Sequence, residues 1–121
     1  MSDAPYSLRG RAGDTFTRYL YHRESDGITA INLAGASVEW SLRSGATAYQ
    51  FIDTTQASIT DEAQGEIKLY LTPTETRELA GRSWDYEVTL EFADADGTRL
   101  TILDGYIAFS REIVGVLEVP A

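Results

Sequence analysis

Three features of the 121-residue sequence predict an all-β protein, an antiparallel β-sandwich of about seven strands with one short crossing helix. Apolar residues recur at every second position in several segments, turn residues punctuate the chain at short intervals, and one stretch alone carries helical signals. Alternation of this kind marks strands buried on one face, whereas doubly covered parallel strands read as continuous apolar runs.

A polar, glycine-containing flexible arm is expected over residues 1–14, the sandwich domain over 15–114 and a C-terminal tail over 115–121. Residues 15–21 are β-branched and aromatic, as strands are, and both of their faces are partly apolar. Ser25-Asp26-Gly27 has turn chemistry, and residues 28–33 read as a short strand that Ala34-Gly35-Ala36 breaks. Residues 37–43 alternate, with Val38, Trp40 and Leu42 on one side and Glu39, Ser41 and Arg43 on the other. Ser44-Gly45 turns the chain toward a strand over residues 48–52, and residues 65–71 alternate again with Ile67, Leu69 and Leu71 inward.

The helical signal follows. Thr72 can cap, Pro73 occupies the first helical position, and Glu75 completes a capping box three residues after the cap. Gly81 ends the segment after about two turns, a length that needs tertiary packing to persist. Its expected place is the crossing between two sheets. Residues 84–92 form the strongest strand pattern, and Asp94-Ala95-Asp96-Gly97 reads as a hairpin turn. In the return strand the apolar parity changes between Leu100 and Ile102 and the later pair Ile107 and Phe109, so a bulge is expected at Leu103-Asp104-Gly105. This strand count describes an immunoglobulin-like sandwich whose core holds Trp40, Leu69, Trp84, Tyr86, Val88, Leu90, Ile102, Ile107 and Phe109; a small split barrel is the competing architecture.

Composition narrows the function classes. With 43% hydrophobic residues the chain can fill a core, and with no cysteine it can have neither disulfides nor thiolate chemistry. A formal charge of −9 repels phosphate backbones and anionic bilayers, so neither nucleic acid nor membrane is expected as a partner. The N-terminal residues lack the basic start and apolar run of a secretory signal, which points to a protein made and used inside a cell or released by lysis.

Residues 26–38 (DGITAINLAGASV) and 65–76 (GEIKLYLTPTET), then 79–88 (LAGRSWDYEV) and 103–107 (LDGYI), resemble small structural proteins of tailed bacteriophages. The pattern is similar to the immunoglobulin-like N-terminal domains of phage upper-baseplate proteins. That resemblance covers most of residues 14–114 and implies a virion assembly module, made in the host bacterial cytoplasm, whose partners are other phage structural proteins and further copies of itself. It carries over no catalytic residue and no cofactor.

Candidate chemistry is sparse. His22, the single histidine, lies near Glu24, Ser25 and Asp26, and neighbours on one hairpin do not supply a converging base, nucleophile and orienter. Asp94 and Asp96 fail the twelve-residue calcium-loop pattern, since its first and last ligand positions would fall on Phe92 and Leu103. No metal site is therefore assigned; Asp61, Glu62 and Asp104 are the oxygen donors that could join those aspartates. Interface candidates are clearer. Tyr70 and Tyr106 have outward parity, Tyr19 and Tyr21 share one parity, and Val116, Leu117 and Val119 form an apolar tail suited to pairing with a sheet edge. The expected function is structural, by protein–protein assembly at a baseplate, tail, head-to-tail junction, or head surface or fibre anchor of a tailed-phage particle, with no enzymatic turnover. The alternative is an adhesion-type sandwich binding carbohydrate or protein, for which a sugar ligand would call for an exposed tryptophan platform.

Overall fold

The computed structural model describes residues 7–111. Eight strands and one helix follow in order: β1 (Leu8–Arg11), β2 (Phe16–Tyr21), β3 (Ser37–Ser44), β4 (Thr47–Ile52), β5 (Ala57–Asp61), β6 (Glu66–Leu71), α1 (Pro73–Leu79), β7 (Ser83–Glu91) and β8 (Arg99–Ser110). They form two sheets, one ordered β1-β8-β7-β3-β4 and the other β2-β6-β5. The fold is the all-β sandwich that the alternation predicts. Among the described residues no helix is long and apolar enough to cross a membrane.

The core lies between the sheets. From the five-stranded sheet it takes Val38, Trp40, Leu42, Trp84, Tyr86, Val88, Leu90, Ile107 and Phe109, and from the three-stranded sheet Phe16, Ile67, Leu69 and Leu71. Phe16 joins the two halves, stacked on Trp40 at 6.2 Å between centroids and edge-on to Phe109 at 5.5 Å. Gly10 sits under this pair: a Cβ there would come within 2.6 Å of the Phe109 ring, so only glycine lets β1 pass.

The helix forms as its capping box predicts. Thr72 accepts from the Glu75 amide, the Glu75 carboxylate accepts from the Thr72 amide, and Pro73 opens the first turn. Chain order places it between β6 of one sheet and β7 of the other. Buried Thr76 then anchors the β1–β2 connection. Its hydroxyl accepts from the Gly13 amide at 3.0 Å and lies 3.0 Å from the carbonyls of Asp14 and Pro73, to one of which it donates.

Three readings are corrected. Residues 8–11, expected within a flexible arm, form β1, which pairs parallel with β8 and buries Leu8; two apolar-faced residues in a short Arg-Gly-rich stretch carry too little alternation to reveal a strand. One parallel pair therefore sits in an otherwise antiparallel sandwich. Residues 28–33 are not a strand: only an Arg23–Ala30 bridge closes a loop there, and Ile28 stands 82% exposed because Asp26 ties the turn beneath it. The β8 parity change falls at Ile102, since Val88 pairs with Leu103 while Thr89 pairs with Thr101; Ile102 is the extra residue and is only partly buried. Strand β5, in a stretch to which the sequence pattern assigns no element, is short and shifts register between Ile59 and Asp61.

Candidate interaction surface

The antiparallel register of β2 and β6 builds an aromatic face. Tyr19 lies opposite Lys68, Tyr21 opposite Glu66 and Thr17 opposite Tyr70. Because Phe16, Ile67, Leu69 and Leu71 point into the core, the alternate residues of both strands stand on the outer side of the three-stranded sheet. Tyr19 and Tyr21 are each 50% exposed. Tyr70 lies diagonal to Tyr19, about 7–8 Å away in such a ladder.

Cations hold these rings. The Lys68 Nζ sits 5.0 Å from the Tyr70 ring centroid and the Arg23 guanidinium 5.0 Å from that of Tyr21. Arg23 also donates to the Gln64 carbonyl, which fixes its fork beside the ring. Glu66 accepts from Thr60 at 2.8 Å. Its carboxylate also accepts from the Tyr21 hydroxyl and, with its own negative charge alongside, keeps that phenol protonated above its ordinary range. The result is a flat surface of three aromatic rings with polar tips, two cations and one carboxylate. Such a surface offers large contact area at low conformational cost.

The loop that ends this face is pinned by Gly65, whose carbonyl accepts from the His22 amide at 2.9 Å. Gly65 has φ 65°, and a Cβ there would meet the His22 and Ile31 carbonyls at 2.6 and 2.8 Å. His22 itself is half-buried, and burial lowers its imidazole below the ordinary range. Asp94 spends both oxygens on Thr98, accepting from its amide at 2.8 Å and its hydroxyl at 2.6 Å, as a hairpin turn requires. Among the described residues no group of three or more acidic or histidine side chains is placed to hold a metal ion.

Of the predicted interface residues, Tyr19, Tyr21 and Tyr70 are brought together. Tyr106, 51% exposed, lies instead on the outer side of the five-stranded sheet, opposite Asp85 in the ladder. There it lines a shallow groove of about 640 Å³ with Arg43, Gln50, Asp85, Glu87 and Asp104. Val116, Leu117 and Val119 lie outside the described residues. Sequence reasoning missed Lys68 and Arg23 as ring partners; the available signal was local, since each lies two residues along an extended segment from its tyrosine and so shares that side chain's face.

No protein-family model matches the chain, and no curated protein does. Among solved structures the fold is similar to Tim-2, with a TM-score of 0.51 and 13% identity over 94% of this chain and 99% of that one. At that identity the likeness concerns the fold.

Proposed function

We propose that this protein is a non-enzymatic assembly module, a structural component of a tailed-phage or phage-like particle, and that the Tyr19–Tyr21–Tyr70 face is the surface it presents to neighbouring subunits. The tailed-particle setting rests on the sequence resemblance over residues 14–114. The surface rests on the single observation that three tyrosines from two strands converge on one outer face, two of them half exposed. Pre-positioned tyrosine and arginine are the residues that dominate protein interfaces. An adhesion module for sugars would need an exposed tryptophan, and Trp40 and Trp84 are 0% and 2% exposed in the core.

The test is co-sedimentation of the protein with particles from its source, comparing native chain with a Tyr19→Ser, Tyr21→Ser, Tyr70→Ser variant. The reading expects native protein in the particle band and the variant left in the low-mass fractions with its far-ultraviolet spectrum unchanged. Native protein that never enters a particle band contradicts it.

A further inference from the structure

Among the described residues the sandwich has four strand edges with no neighbouring strand, and they are not equivalent. In β1 the backbone groups of Gly10 and Ala12 face β8, as the Ala12 amide on the Ser110 carbonyl shows, which turns Arg9 and Arg11 outward. Both outward carbonyls are occupied: Arg18 donates to Arg9 O at 3.0 Å, and the Asp14 amide donates to Arg11 O at 3.1 Å. In β2 the outward carbonyl of Thr17 accepts from the same guanidinium at 2.8 Å. One arginine therefore covers two edges on one side of the sandwich. In β5 the outward Ala57 carbonyl accepts from Thr54, and the register shift at Ile59/Asp61 ends the flat run. Caps, charges and bulges are the devices by which sheets avoid edge pairing.

Strand β4 has none of them. The Asp53 amide on the Val38 carbonyl sets the phase of its ladder, so Thr47, Tyr49 and Phe51 bond β3 while the amides and carbonyls of Ala48, Gln50 and Ile52 point away from the sheet. Its six residues, TAYQFI, include no charge and no proline, in a chain of net charge −9, and five of the six are exposed. Like-charge repulsion between copies is weakest at this strand.

We propose that β4 is a pairing edge and that its occupant is β4 of a second copy, joined antiparallel about a two-fold axis through Gln50. This partner choice rests on the assembly reading above, and it commits to a different surface. A strand with outward groups at 48, 50 and 52 is complementary to itself in that register: Ala48 pairs with Ile52 of the second copy, Gln50 with Gln50, and six amide–carbonyl bonds form. Tyr49 then stands opposite Phe51 of the second copy on the core side, extending the ring contact that the two residues already make within one chain at 6.3 Å. Because the opposite edge of the same sheet is capped at Arg9 and Arg11, pairing joins two five-stranded sheets into one of ten and stops there. A self-complementary contact closes as a dimer.

Sedimentation equilibrium on the full chain tests this, with Ala48→Pro, Ile52→Lys and the triple tyrosine variant alongside. The Ala48 amide bonds nothing among the described residues, so proline there leaves the monomer ladder intact; lysine at position 52 supplies the missing charge by an independent route. The proposal expects a twofold mass for the native chain and the triple tyrosine variant, a onefold mass for both edge variants, and slowed hydrogen exchange at Ala48, Gln50 and Ile52 in the dimer alone. A native chain that stays monomeric at millimolar concentration overturns it, as does a dimer that both edge variants retain. Particle incorporation through the tyrosine face by a monomeric chain would overturn this inference and leave the assembly reading standing; a dimer that never joins a particle would do the reverse.

Discussion

Arg18 donates one guanidinium nitrogen to the carbonyl of Arg9 at 3.0 Å, and so ties the edge of the three-stranded sheet to the edge of the five-stranded one. The same side chain crosses the Phe16 ring at 4.6 Å and occupies the Thr17 carbonyl. It stands at core parity on β2, yet at a sheet edge, where an arginine can cover apolar surface with its stem and leave its fork to the backbone.

Replacing Arg18 with methionine keeps the stem and removes the fork. The expected result is a loss of about 1 kcal/mol in urea unfolding, accompanied by association that light scattering detects, because two edges lose their cap. Association without change in stability would mean that the cap guards the edges and contributes nothing to the fold.

The two core tryptophans should behave differently. Trp84 Nε1 donates to the Leu79 carbonyl at 2.9 Å, whereas Trp40 Nε1, among the described residues, has no hydrogen-bond partner. Trp84→Phe loses volume and leaves a buried carbonyl unpaired; Trp40→Phe loses volume and an orphaned donor. Urea denaturation should find Trp84→Phe the more costly, by about 1–3 kcal/mol. Equal losses would contradict the assigned bond.

Thr76→Val removes a fully buried hydroxyl that serves Gly13 and a carbonyl of Asp14 or Pro73. The expected cost is about 2 kcal/mol, with most of it restored in Thr76→Ser. Amide exchange at Gly13 is the local readout, and it should accelerate in the valine variant alone.

Most of the architecture was legible in the chain because one-sided burial writes itself as period two: Trp84 to Phe92 and Ile67 to Leu71 needed no structure to be placed. The helix was legible through Thr72, Pro73 and Glu75, whose side chains speak only to their own backbone. What stayed hidden depends on partners distant in sequence. Leu8 is a core residue through β8, a hundred residues away, and Tyr19 and Tyr21 show their outward side only once Phe16 and Leu20 are seen facing Leu71 and Ile67. Tyr70 and Tyr106 read outward by parity, but parity cannot say that they occupy opposite sides of the sandwich.

Acid should act through His22. Burial holds its folded-state imidazole below the ordinary value near 6.5, so the unfolded chain binds a proton first. Stability is therefore full above the ordinary value and falls as the pH drops through it toward the lowered one. A His22→Asn variant should show a flatter unfolding midpoint between pH 7.5 and 5.5 than the native chain; parallel slopes would assign the dependence elsewhere.

The assembly claim meets its most direct test in site-specific photocrosslinking. Benzoylphenylalanine placed at position 19, on the tyrosine face, is compared with the same probe at position 87, on the outer side of the other sheet. In purified particles the account predicts crosslinks to a neighbouring subunit from position 19 and few from position 87. Crosslinks from position 87 with none from position 19 would contradict it.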